Sequence, residues 1–320
     1  MAIALLIVAG LFAVVAGAND GSSLLSPGLR VPGVRPLVSF GLLLGAVALG
    51  PWLIFGTRVA TTLAHGLVPF GGAAAARVLL AATLSAMVVV LALVRAGLPT
   101  SLTLALVGAI TGAGLGAGLP VRGGELATIL LLGLAAPVVA AVIALAVAPL
   151  TLRLAGGGEM SRRLRRWHRD AFVLQCLAYS ANGGQKMLAV FAVAAGAASG
   201  SVVQDSWWLA VLTAGLFGIG VLLGLRGVSA KLGKGILTVH LRHAVVAEAC
   251  SFAVVTGAGL VGVPLTMSQS VAGALVGAGA SESRIRVRWP AVLRMAGAWV
   301  LTLPASVALA ALAGALTKGV

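Results

Sequence analysis

Long apolar runs separated by short polar segments make up nearly the whole chain of 320 residues. A helix needs about 20 mostly apolar residues to cross the hydrocarbon core of a bilayer. Runs of that size are found at 3–27, 37–56, 77–95, 98–119 and 126–150, and again at 171–198, 207–225, 241–260, 263–281 and 292–316. The pattern predicts an all-α polytopic membrane protein with about ten membrane-crossing segments.

Two polar motifs occur twice in the chain, in the same order. Gly17-Ala18-Asn19-Asp20 is matched by Ser180-Ala181-Asn182-Gly183, and Gly97-Leu98-Pro99 is matched by Gly262-Val263-Pro264. Repeats at a nearly constant spacing indicate two halves built from one unit. Five crossings per half is an odd number, so the second half is expected to be inverted in the membrane. We assign 1–152 to the first repeat, 153–170 to a basic cytoplasmic linker and 171–320 to the second repeat.

Composition and charge support a membrane location. Hydrophobic residues make up 60% of the chain and charged residues 9%, whereas about a quarter of the residues in soluble proteins are charged. The net charge is +15, but the basic residues stand in short connectors, where charge sets orientation in a membrane. We therefore expect lipid and no nucleic acid as a partner, a cytoplasmic (inner) membrane location, and both termini outside.

The second pair of motifs predicts two broken or re-entrant hairpins. Inverted repeats are typical of secondary transporters, whose substrate sites lie near the midplane at interrupted helices. Pro99-Thr100-Ser101 and Pro264-Leu265-Thr266 each suit the start of a helix. A helix N-terminus presents free N–H groups and a positive dipole end to an anion. Two such starts that meet would form one oxyanion site, with hydroxyl donors from Ser101, Thr103, Thr266 and Ser268.

Three charged residues stand well inside apolar runs, away from the ends of the runs, where charge is costly and often functional. We expect the first helix to unwind at Gly17–Ser23 and to direct Asp20 into a cavity. Lys186 has three interpretations: a counter-ion to the substrate, a partner of Asp20 or Glu248, or a side chain that reaches the interface. Glu248 is either functional or part of an interfacial ion pair near His240 and His243. The histidines are predicted to be solvated: His65, His168, His240 and His243.

These motifs resemble the inorganic phosphate transporter family of secondary permeases, over both halves and nearly the whole chain. The resemblance implies phosphate as substrate, no cofactor, and H⁺ or Na⁺ as coupling ion, with Na⁺ at Asp20 as the one candidate metal site. The substrate-binding residues it implies, together with the hydroxyls above, are Thr100, Ser101, Thr103, Asn182, Gln185, Lys186, Thr266, Ser268 and Gln269. The coupling-ion residues it implies are Asn19, Asp20, Asn182 and Glu248.

The chain departs from the family pattern in ways that bear on coupling. Gly183 stands where the second Asn-Asp motif has its aspartate, and both hairpin histidines of the family are missing. A single aspartate would hold sodium weakly, because hard cations require several oxygen ligands. Coupling by a proton on Asp20 or Glu248 is the alternative.

The sequence thus predicts a cation-coupled symporter of inorganic phosphate that works by alternating access, and not an enzyme. The alternatives left open are a permease for sulfate or another oxyanion, and a transport-deficient relative that serves as a sensor or subunit, as Gly183 suggests. A membrane enzyme is disfavoured because no two intramembrane acids have a recognisable catalytic spacing. A channel and a homo-oligomeric state are also left open.

Overall fold

The computed structural model describes residues 2–25, 35–51, 56–68, 72–98, 100–155, 160–194, 207–231 and 236–319, and all regular structure in these ranges is helical. The first half contains α1 (Ala2–Ala16), α2 (Pro36–Gly50), a short α3 (Arg58–Thr61), α4 (Gly72–Arg95), α5 (Leu102–Ala117) and α6 (Gly123–Ala155). The second half contains α7 (Met160–Tyr179), α8 (Gln185–Ala194), α9 (Trp207–Lys231), α10 (Leu241–Leu260), α11 (Met267–Glu282) and α12 (Trp289–Ala315).

Within the described ranges, six stretches of helix are long and apolar enough to cross a membrane: Ile3–Leu25, Ala76–Arg95, Gly123–Thr151, Trp207–Leu225, Leu241–Leu260 and Trp289–Ala315. Helices α2 and α5 are apolar but shorter. Large apolar side chains point outward, among them Leu131, Val138, Val300 and Leu312, which are 62–70% exposed. A surface of this kind suits contact with lipid. The all-α polytopic membrane class is confirmed, and the count of ten crossings stays a prediction.

The basic segment predicted as a linker is largely helical. Helix α6 continues to Ala155, and α7 begins at Met160 and runs through the arginines as far as Tyr179. Residues 156–159, which include the predicted glycine linker, lie outside the described residues. The basic segment therefore begins the first helix of the second half. The division into repeats stays a prediction.

The hairpin helix of each half packs against the last helix of the other half. A Cβ added at Gly112 in α5 would lie 2.2 Å from the carbonyl oxygen of Val307 in α12. A Cβ at Gly277 in α11 would lie 2.0 Å from the carbonyl oxygen of Ala141 in α6. These glycines let the helix backbones approach without side chains between them. Each hairpin is thus held by the opposite half.

Two glycines at equivalent positions turn the chain into the hairpins. Gly97 has φ +75° and Gly262 has φ +80°, in the left-handed region that residues with a Cβ rarely adopt. After Gly97 the chain reaches Pro99, which lies outside the described residues, and after Gly262 it reaches the buried Pro264. The repeat predicted from the sequence therefore recurs in the backbone conformation.

We predict that Gly112→Ala destabilises the protein because its new methyl group would overlap the Val307 carbonyl. Gly297→Ala in α12 is the matched control, since a Cβ there meets nothing within 4 Å. Overpacking costs about 1–3 kcal/mol, so Gly112→Ala should lower the unfolding temperature in detergent, and Gly297→Ala should leave it equal or higher. Equal unfolding temperatures for the two variants would contradict the close packing.

Candidate functional site

The N-termini of the two hairpin helices meet. Helix α5 follows Ser101, whose Oγ accepts a hydrogen bond from the Leu104 amide at 3.2 Å, and α11 follows Thr266. Ser101 Oγ and Thr266 Oγ1 are 2.8 Å apart and both side chains are buried. The predicted helix starts are thus present and adjacent. We call this place the hairpin junction and define it by Thr100, Ser101, Thr103, Leu265 and Thr266.

Lys186 joins the two hairpins. Its Nζ donates to Thr103 Oγ1 at 2.6 Å, in the first half, and to the carbonyl oxygen of Leu265, in the second. The side chain is 2% exposed, so the interpretation that it reaches the interface is wrong. Asp20 lies within electrostatic range of this ammonium group. Lys186 therefore places a buried positive charge at the junction.

Two asparagines tie the first helix of each half to the hairpin of the same half. Asn182 Nδ2 donates to the Val263 carbonyl at 3.0 Å, and its Oδ1 accepts from the Leu265 amide at 2.9 Å. Asn19 Oδ1 accepts from Thr100 Oγ1 at 2.9 Å, and Asn19 Nδ2 donates to Asp20 Oδ1 at 2.9 Å. The paired motifs thus occupy equivalent places, and the first one positions Asp20 near the junction.

The first helix does not unwind as predicted. It widens into a π-helical turn at Gly17–Gly21 and then continues, and an equivalent π-helical turn occupies Ser180–Gly184. Ser22 Oγ and Ser23 Oγ donate to backbone carbonyls four residues earlier. Such turns keep most backbone groups bonded and are frequent at functional sites. The polar motif therefore changes the shape of the helix without interrupting it.

Three buried polar atoms near the junction have no hydrogen-bond partner in the part of the chain that the structure describes: Ser268 Oγ, Gln185 Nε2 and the Tyr179 hydroxyl. The other end of the Gln185 amide is held, because Oε1 accepts from the backbone amides of Val59 and Ala60 at 2.8 and 3.2 Å. Gln269 is buried in the first turn of α11. Buried polar groups are normally bonded, so these atoms are candidates to contact a ligand.

Tyr179 was not predicted as a site residue. It is 1% exposed and lies within electrostatic range of Asp20. The signal that could have found it is simple: it is the only tyrosine of the chain and stands four residues before Gly183. Residues four apart share a helix face.

Glu248 lies in a separate buried cluster. His168 Nδ1 is 2.8 Å from Glu248 Oε2, and the other ring nitrogen of His168 has no partner among the described residues. Gln175 Nε2 donates to Ser251 Oγ at 3.1 Å beside this pair. A cavity of about 10 Å³, close to the smallest volume that holds a water, reaches from Glu248 to Ser23.

The predicted ion pair of Glu248 near His240 and His243 is wrong, and so is the prediction that all four histidines are solvated. Arg242 and His243 contact Glu282 instead of Glu248, and Arg286 Nη1 lies 2.5 Å from the same carboxylate. His168 and His243 are buried, not solvated, at 0% and 1% exposure. The prediction that these histidines are solvated had rested only on their nearness to the connectors in the sequence.

The junction has the electrostatics of an anion site. It combines the ammonium group of Lys186, the positive ends of two helix dipoles and hydroxyl donors from both halves. Asp20 supplies one carboxylate in range. Within the described ranges, no three His, Cys, Asp or Glu side chains gather as metal ligands. Such a combination is suited to an oxyanion that brings negative charge.

Comparisons with known proteins give the same family for both halves. The sequence model of the phosphate transporter family matches residues 34–175 and 171–310. A probable low-affinity inorganic phosphate transporter of Mycobacterium tuberculosis is 32% identical over 161 residues, which are 49% of this chain and 38% of the relative. A Bacillus subtilis protein described in the same words is 26% identical over 157 residues, 48% of this chain and 47% of the relative.

The alignments with these curated relatives thus span less than half of each relative. Among solved structures, one titled "The sodium-dependent phosphate transporter" superposes with a TM-score of 0.83 at 18% identity, covering 100% of this chain and 99% of that one. This likeness confirms the fold. The match of the family model to both halves shows that the chain belongs to the phosphate transporter family.

Proposed function

We propose that the protein is a secondary active transporter of inorganic phosphate, a symporter that couples phosphate to H⁺ or Na⁺. The observation that carries the proposal is the buried Lys186 ammonium at the meeting point of two helix N-termini. A transported anion must bind there reversibly, so that the junction alternates between a loaded and an unloaded state. An anion that never left would cancel the charge and end transport. The names of the relatives support phosphate as that anion.

Phosphate suits this junction better than sulfate does. The unpartnered donors Ser268 Oγ and Gln185 Nε2 can bond phosphate oxygens. A protonated phosphate also donates a hydrogen bond, which the Asp20 carboxylate accepts in this proposal, and sulfate has no such proton. Together with Thr100, Ser101, Thr103, Asn182, Lys186, Thr266 and Gln269, these groups form the proposed substrate site.

Coupling in this proposal depends on carboxyl groups close to the substrate. Asp20, oriented by Asn19, binds the coupling ion next to the anion, and Asn182 positions the equivalent turn of the second half. Glu248 is a second candidate to bind the coupling ion, and the small cavity connects it with Ser23. Each ligand then strengthens binding of the other by an equal factor.

Alternating access follows from the inverted repeats in this proposal. The two halves move about the central junction and open it first to one side and then to the other. We place the protein in the cytoplasmic membrane with both termini outside, because most basic residues then face inward. A transport-deficient sensor or subunit would instead bind phosphate without moving it.

We predict that purified protein in liposomes accumulates labelled phosphate when a proton or sodium gradient is imposed. Unlabelled phosphate should compete with the label, and sulfate should compete at least about tenfold more weakly, because one lost hydrogen bond to a charged group costs about 1.5–3 kcal/mol. Equal competition would identify a general oxyanion permease. Binding without accumulation would identify a sensor and refute symport.

We predict that Lys186→Gln weakens phosphate binding by about 10- to 100-fold, since a charged hydrogen bond is replaced by a neutral one. Arg294→Gln is the matched control, because Arg294 is an exposed basic residue outside the junction. Phosphate affinity is measured by calorimetry in detergent and by the KM of uptake. An unchanged affinity in Lys186→Gln would exclude this ammonium from the substrate site.

We predict that Asp20→Asn retains phosphate exchange but loses phosphate accumulation driven by a cation gradient. The variant should exchange labelled for unlabelled phosphate across liposomes but should no longer accumulate phosphate under a cation gradient, because the amide carries no charge to neutralise. Asp170→Asn, an exposed acid on α7, should behave as wild type. If Asp20→Asn still accumulates phosphate and Glu248→Gln does not, Glu248 is the coupling residue.

A further inference from the structure

Tyr179 and Gly183 form a pair in the second half, and the equivalent residues in the first half are Ala16 and Asp20. The two π-helical turns begin at Gly17 and Ser180, so the residue just before each turn is Ala16 or Tyr179. Asp20 and Gly183 stand four residues later, on the same helix face. One half thus combines a small residue with a carboxylate, and the other combines a large ring with no side chain.

The ring of Tyr179 occupies the space that a side chain at Gly183 would need. A Cβ added at Gly183 would lie 2.4 Å from Cε2 and 2.5 Å from Cζ of Tyr179, closer than real Cβ contacts. The ring has little room to give way, since it is 1% exposed and packs on Phe217 with ring centroids 5.4 Å apart. The second half is therefore closed to a carboxylate as long as Tyr179 is present.

The phenol also leaves a neutral polar group near the first-half acid. Its hydroxyl is buried, has no hydrogen-bond partner among the described residues, and lies within electrostatic range of Asp20. A neutral hydroxyl can donate to an anion but brings no negative charge. Asp20 is then the one carboxylate among the described residues that opposes Lys186 at the junction.

From this pair we infer that Tyr179 is the residue that fixes the coupling ion, by replacing a second carboxylate and so making transport proton-coupled and independent of sodium. The inference rests on the proposed function. One carboxylate is neutralised by one proton, whereas a sodium ion requires several oxygen ligands and compensating charge. Removing the ring and adding the acid should create a sodium-responsive site.

The test recreates the first-half pair in the second half. Wild type, Tyr179→Phe, Gly183→Asp and the double variants Tyr179→Ala/Gly183→Asp and Tyr179→Ala/Gly183→Asn are reconstituted, and phosphate uptake is measured under a proton or a sodium gradient. Wild type should respond to protons only, and Tyr179→Phe, which keeps the ring but lacks the hydroxyl, should gain no response to sodium. Gly183→Asp should lose uptake because of the overlap. The double variant with aspartate should regain uptake and respond to sodium by about tenfold, unlike its asparagine control.

Several outcomes would overturn the inference: sodium-driven uptake in wild type or Tyr179→Phe, full uptake by Gly183→Asp, or equal sodium responses of the two double variants. A second readout does not depend on transport. NaCl, compared with choline chloride, should raise the unfolding temperature of Tyr179→Ala/Gly183→Asp and leave wild type and the asparagine control unchanged. If no protein takes up phosphate, the proposed function fails, while this measurement still decides the inference.

Discussion

The constraint on which this structure depends is the burial of one ammonium group where two helix N-termini meet. Lys186 donates to a hydroxyl of one hairpin and to a carbonyl of the other, so its position requires both halves to be in place. A buried charge is costly unless it is paired and hydrogen-bonded. Two positive helix ends add to that cost, and Asp20 offsets only part of it. An anion bound at the junction, as proposed above, would supply the remaining compensation.

The glycine contacts make this arrangement geometrically accessible. Glycines of hairpin helix α5 lie directly against backbone carbonyls of α12, and glycines of α11 lie against those of α6 in the same way. The N-terminus of each hairpin helix is therefore positioned by the opposite half. Larger residues would hold the helices apart and would separate Ser101 from Thr266. Because each hairpin helix packs against the opposite half, neither half can position its own hairpin helix alone. Packing and site chemistry are therefore one requirement in this fold.

The sequence was sufficient for the paired motifs and the two helix starts, because glycine, proline and hydroxyl residues have strong local preferences that recur at equal spacing. It could not reveal that Lys186 bonds both hairpins, because that contact joins residues from different halves. The prediction of unwinding at Gly17–Ser23 failed because a π-helical turn bonds the backbone without interruption. His168 and Tyr179 were missed since burial of a single polar residue depends on its neighbours in space.

A symmetric scaffold here carries an asymmetric set of charges. The second half supplies Lys186 where the first half has Ser23, and the first half supplies Asp20 where the second has Gly183. Two lysines or two aspartates at equivalent places would repel each other across the junction, whereas one of each attract. Because the acid and the base belong to different halves, a movement of one half against the other changes their separation and hence their electrostatic energy. In the proposed transport cycle, ligands that neutralise either charge would shift the balance between the two arrangements of the halves.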